Sequence, residues 1–121
     1  MAVISTRVHG VLDYVVGSAL VAAPNLLGIQ DVRASALAPR VQGAGATLYS
    51  LFTDYELSAR RMMPMRAHLA LDALGGALLA ASPWLFGYAR HGRRYWLPHV
   101  LAGSGEVAIA ALSEREPSSR G

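Results

Sequence analysis

The segment Arg66 to Tyr88 opens on a charge, sets His68 and Asp72 one helical turn apart, and runs apolar to Ser82-Pro83-Trp84. A second copy of it begins at Arg7. At an offset of fifty-nine positions Arg7 falls on Arg66, His9 on His68, Leu12 on Leu71, Asp13 on Asp72, Gly17 on Gly76, Pro24 on Pro83 and Gly28 on Gly87. The match continues with Pro39 on Pro98 and Val41 on Val100. After one inserted residue, Gly43-Ala44-Gly45 meets Gly103-Ser104-Gly105, and Thr53 to Glu56 meets Ser113 to Glu116. Recurrence of so many chemically special residues marks a tandem duplication, with repeats at 7–56 and 66–116 inside a single domain, 1–121. A period of this length means a supersecondary unit that buries its apolar face against its neighbour.

Each unit reads as two helices. The first pair, near 8–23 and 67–82, shows no strand alternation and no proline before its end. Pro24 and Pro83 lack the amide hydrogen that a continuing helix needs, so the chain is expected to bend or break there. Asn25 to Gly28 and Trp84 to Gly87 then form short apolar caps, with Trp84 and Tyr88 suited to a headgroup boundary. The second pair, near 40–54 and 99–113, is expected to start just after Pro39 and Pro98, where a missing amide costs little. Residues 55–65 read as a linker and 114–121 as a loose polar tail.

The surrounding medium follows from charge distribution. Hydrophobic residues make up 53% and charged residues 16% of the chain, a shift away from the roughly 25% charged content of soluble domains. Segments 14–29 and 73–88 hold no charged residue, whereas a soluble four-helix bundle shows a charged face on every helix. The sequence therefore predicts an all-α fold of four transmembrane helices, formed by two tandem hairpins. An N-terminal signal peptide cut after Val21-Ala22-Ala23 is the competing reading of the first apolar run. Asp13 interrupts that run, Pro24 would follow the cut, and the copy at 66–88 cannot be a leader.

Net charge is +3, and all 11 basic residues are arginine, scattered between apolar runs and forming no stripe. That pattern suits an anionic membrane surface and not nucleic acid. There is no cysteine, which excludes disulfides, thiolate metal sites and cysteine nucleophiles. An even number of spans puts both termini on one side. Arginine counting does not discriminate between the faces, and loop lengths favour the cytoplasmic one.

Ser82-Pro83-Trp84, followed by Leu85-Phe86-Gly87 inside a duplicated hairpin, resembles the SPW-repeat family of small bacterial membrane proteins. The resemblance covers about 7–113 and implies a location in the bacterial inner membrane. It implies that the SPW run lies in the first of two transmembrane helices of each repeat, and it implies no activity. The first copy departs from the pattern, reading Ala23-Pro24-Asn25, and so lacks the tryptophan anchor. Pro83 and Trp84 are the expected interface anchors.

His9 with Asp13, and His68 with Asp72, are each four residues apart, so both members of a pair share one helix face. If the first and third helices touch, two imidazoles and two carboxylates converge. Such a cluster has donors for zinc or another divalent ion. Two facing histidines are also the axial ligands of a haem iron, and intramembrane ionisable groups can carry protons or ions. The plain structural reading is that each aspartate accepts a hydrogen bond from its own histidine, or pairs with Arg7 or Arg66. Glu106 stands mid-helix opposite Ala46 in the repeat, either a proton-bearing group or a neutral carboxyl bonded to Gln42. Gly43, Gly45, Gly103 and Gly105 are read as close-packing positions. No Lys follows them and no strand precedes, so they are not a phosphate loop. Serine catalysis has no nucleophile motif here. Arg90, Arg93 and Arg94 with His91 and Tyr95 are expected at lipid headgroups or in solvent.

The sequence thus favours a non-enzymatic scaffold or accessory subunit without a cofactor, packed on lipid and on another membrane protein or a second copy. The alternative is a metal-, haem-, proton- or ion-handling protein using the paired His/Asp cluster.

Overall fold

The computed structural model describes residues 2–116. Four α-helices run in order: α1 (Thr6–Leu27), α2 (Arg33–Ser50), α3 (Met65–Leu85) and α4 (Arg93–Leu112), with a short 3-10 turn at Tyr88–His91 before α4. No strand forms among the described residues, only two isolated bridges, Ile4 with Ser113 and Thr53 with Met63. Ser5 caps α1 by accepting from the Val8 amide at 3.2 Å, satisfying one of the donors that a helix start leaves open. Gly28, at φ 69°, turns the chain out of α1 in the left-handed region that glycine adopts at no steric cost.

The prolines do not bound the helices as expected. Pro24 and Pro83 lie inside α1 and α3, and Pro39 and Pro98 inside α2 and α4. A proline within a helix strands the carbonyl four residues back, and two of those carbonyls find side-chain donors. Leu79 C=O, opposite Pro83, accepts from Ser82 Oγ at 2.6 Å. Ser35 C=O, opposite Pro39, accepts from His99 Nε2 at 3.2 Å. With those bonds replaced, the helix continues through the ring. α2 also starts earlier and ends earlier than its sequence suggests, because past Ser50 the chain turns back: Met63 N–H donates to Phe52 C=O at 2.7 Å.

α1 packs on α2 and α3 on α4, each pair meeting backbone to backbone at glycine. A β-carbon on Gly17 would stand 3.1 Å from Gly43 C=O, and one on Gly76 would stand 2.6 Å from Gly103 C=O. The two hairpins are then strapped crosswise. Val3 and Ile4 N–H both donate to Leu112 C=O, at 2.8 and 2.9 Å, and Glu114 N–H donates to Ile4 C=O at 2.9 Å. At the equivalent place in the other half, Asp54 N–H donates to Met63 C=O at 2.6 Å. The segment leading into each odd-numbered helix is thus held by the end of an even-numbered one. Residues 55–65 are more than a linker. Tyr55 is fully buried, and Tyr55 and Leu57 lie directly over Gly10 of α1. Residues 117–121 of the expected loose tail lie outside the described residues.

Polarity is distributed in an unusual way. His9, His68, Asp72, Thr53, Ser113 and His99 are all buried, while Leu26, Val41, Leu74 and Leu101 stand more than half exposed on the outside. Among the described residues one helix, Thr6–Leu27, is long and apolar enough to cross a membrane.

Candidate functional site

α1 and α3 meet at the end of the bundle where the straps lie, and there the two His/Asp pairs converge. His9 Nε2 lies 2.7 Å from Asp72 Oδ2 and 3.0 Å from Asp13 Oδ1. His68 Nε2 lies 3.0 Å from Asp13 Oδ2 and 3.1 Å from Asp72 Oδ2. Each carboxylate therefore faces both imidazoles, and one donor atom from each of the four residues falls within 4.8 Å of the other three. The two rings stand edge to face, with centroids 5.3 Å apart. Arg7 and Arg66 take no part in these contacts. Arg66 reaches outward to Glu116, at 3.8 Å.

A second layer of side chains fixes the first. Ser113 Oγ donates its only hydrogen to Ile109 C=O at 2.6 Å, so it accepts from His9 Nδ1, 2.7 Å away. Thr53 Oγ1 donates to Tyr49 C=O at 2.7 Å and likewise accepts from His68 Nδ1 at 2.7 Å. Both imidazoles thus carry a hydrogen on Nδ1 and turn Nε2 toward the carboxylates. Asp72 Oδ1 accepts from Tyr49 OH, and Asp13 Oδ2 accepts from Tyr55 OH at 2.9 Å. Burial, and then the Asp13 carboxylate beside it, push the Tyr55 phenol above its ordinary pKa. It stays a hydrogen donor. Two states satisfy this arrangement electrostatically: a proton on each Nε2, giving imidazolium–carboxylate pairs, or a cation held among the four. The adjoining cavity, about 30 Å³ and walled by His9, Asp13, Asp72 and Glu106, has the volume of one water. A haem does not fit between these histidines, because the carboxylates already fill the space that a macrocycle needs.

The other singled-out residues are placed as follows. Glu106 sits beside the cluster, its Oε2 accepting from Gln42 Nε2 at 2.9 Å. Gln42 crosses α3 at Gly75, where a β-carbon would lie 2.9 Å from its amide carbon. Trp84 is exposed and pairs with Trp96 at 5.8 Å between rings. Pro83 is buried inside the hairpin, so of the two expected anchors only Trp84 faces outward. Tyr88, expected at a boundary, is buried with its hydroxyl bonded to Ser82. Arg90, Arg93 and Arg94 are exposed, and Tyr95 OH donates to Asp31 at 2.9 Å.

Sequence reasoning found the four central residues through their spacing. It missed Ser113, Thr53, Tyr49 and Tyr55. The match of Thr53 with Ser113 in the two halves was the available signal, since a hydroxyl recurs there at the end of a helix.

Four helices with buried histidines and a His/Asp tetrad between the first and third, and with many large apolar side chains exposed outside, define a small helical bundle. The chain matches the SPW repeat domain over residues 7–113 and belongs to that family. No curated protein and no solved structure matches it.

Proposed function

We propose that this chain is an integral membrane protein made of two like hairpins, all four helices spanning, whose role is that of a scaffold. In this reading lipid and the helices of a partner cover its outer face. The single observation that carries it is the inversion of polarity: His68 is 0% exposed and His9 1%, while Leu26 is 81% and Val41 67% exposed. Water would drive these groups the other way, because burying polar groups costs free energy that only internal partners offset, and exposed apolar area on this scale is unfavourable. In hydrocarbon the ordering is the natural one, since polar side chains face the bundle interior and bond to each other. α2 and α4 are less apolar than α1, but their polar groups, Gln42, His99 and Glu106, point to partners on other helices.

The like placement of the Gly17/Gly43 and Gly76/Gly103 contacts, and of the His9–Ser113 and His68–Thr53 bonds, supports descent of both halves from one hairpin. The tetrad is the lock between them.

Membrane fractionation tests the location. The protein is expected in the pellet after carbonate washing and in the supernatant only with detergent; recovery from the soluble fraction without detergent refutes it. Mild-detergent purification tests the role: a copurifying membrane protein or a stable homo-oligomer is expected, and a lone monomer refutes the scaffold.

A further inference from the structure

We infer that the tetrad of His9, Asp13, His68 and Asp72 is a site for one divalent transition ion of the zinc type, bound by two imidazole Nε2 atoms and two carboxylate oxygens. The argument begins with an atom that has no hydrogen bond. His68 Nε2 is fully buried and finds no partner at a hydrogen-bonding angle, although two carboxylate oxygens lie 3.0 and 3.1 Å away. At His68 the close oxygens lie off the axis of the nitrogen, as ligand atoms do when they point at a common centre and not at one another, whereas His9 Nε2 bonds to Asp72 Oδ2 at 2.7 Å. A tetrahedral ion with bonds of about 2.0–2.2 Å separates its ligands by roughly 3.3–3.5 Å. The nitrogen-to-oxygen separations here run from 2.7 to 3.1 Å and use both oxygens of Asp13, and one donor atom from each residue lies within 4.8 Å of the other three, so side-chain adjustment on the scale of an ångström brings the four around one ion.

The outer layer is the second observation. Histidines that bind metal nearly always donate their other ring N–H to a fixed acceptor, and ligating carboxylates are hydrogen-bonded in turn. All four residues meet that requirement: His9 through Ser113, His68 through Thr53, Asp72 through Tyr49 and Asp13 through Tyr55. The donor set also selects the ion. Two nitrogens and two oxygens suit zinc, cobalt or another borderline first-row ion, while calcium takes six to eight oxygens and magnesium an octahedron of them. Because α1 packs on α2, α3 on α4 and α2 on α3, an ion here adds a link between the two hairpins from α1 to α3.

The test uses the full chain in detergent, stripped with a chelator and titrated with cobalt as the probe. The expected result is one equivalent bound per chain, the visible absorption of tetrahedral cobalt, and its loss when zinc is added. Asp72→Asn should abolish that spectrum. Thr53→Val and Tyr49→Phe, which keep all four ligands, should weaken binding by about 10–100-fold. Wild-type protein that stays helical and monodisperse yet takes up no cobalt overturns the inference. So does binding that survives both Asp72→Asn and His68→Gln, because the ion then sits elsewhere. If Asp72→Asn fails to fold, the Thr53 and Tyr49 variants decide, and unchanged affinity in both overturns the site.

Discussion

One methyl group added at Gly76 should destabilise the bundle, while the same group at Gly45 should stabilise it. A β-carbon at Gly76 would stand 2.6 Å from Gly103 C=O, 2.9 Å from Glu106 Cβ and 3.2 Å from Val107 Cγ2, where ordinary contact begins near 3.4 Å. The nearest of these is backbone, which cannot rotate away, so α3 and α4 must part by most of an ångström. Overpacking of this kind costs about 1–3 kcal/mol. Against it, alanine is better than glycine in a helix by about 0.8–1.0 kcal/mol, leaving a net loss for Gly76→Ala of up to about 2 kcal/mol. Gly45 has nothing within 4 Å, so Gly45→Ala keeps the propensity gain of about 1 kcal/mol alone. Equilibrium unfolding in mixed micelles, followed by far-ultraviolet circular dichroism, should separate the two variants by about 1–3 kcal/mol, with Gly45→Ala the more stable. Equal stabilities, or a Gly76→Ala protein more stable than Gly45→Ala, would refute the backbone contact.

Asp72→Ala removes the carboxylate that faces both histidines and accepts from Tyr49; a loss of about 3–5 kcal/mol is expected in metal-free protein, and a loss below 1 kcal/mol by the same unfolding measurement would contradict it. Ser82→Ala strips a donor from Leu79 C=O and a partner from Tyr88 OH. It should cost about 1–3 kcal/mol, read as a lowered Tm, with Ala81→Ser as a neighbouring control that changes little. Leu78→Arg places a charge on the apolar outer face, where Leu78 is 54% exposed. In lipid this should cost about 2.5–3.5 kcal/mol and lower the membrane-inserted fraction. In water it should change stability by about 0.5 kcal/mol or less, so normal accumulation of the variant in the soluble fraction would count against the lipid reading.

Much of the central site is legible from spacing alone. His and Asp four apart share a helix face, and the same spacing at His68 and Asp72 puts a like face on another helix, so convergence needs only that the two helices touch. The helix limits were not legible in the same way. Proline reads locally as a stop, and what lets the helix run on is a replacement donor: in α2 one from another helix, His99 to Ser35, and in α3 a serine hydroxyl of the same helix, Ser82 to Leu79. Tyr88 misleads for a related reason. Its amphipathic side chain suits a boundary, but Ser82 six residues earlier offers its hydroxyl a buried partner. Gln42 and Glu106 lie on different hairpins, and no local pattern places them across the Gly75 gap.

The straps at Ile4–Ser113 and Thr53–Met63 give the chain the connectivity of a closed ring. A variant opened near Ser58 and joined through a short loop between the segment after Ser113 and the one before Ile4 would trace the same hairpins in exchanged order. Where a polypeptide can be re-cut in this way, the sequence order of its halves is separable from their arrangement in space.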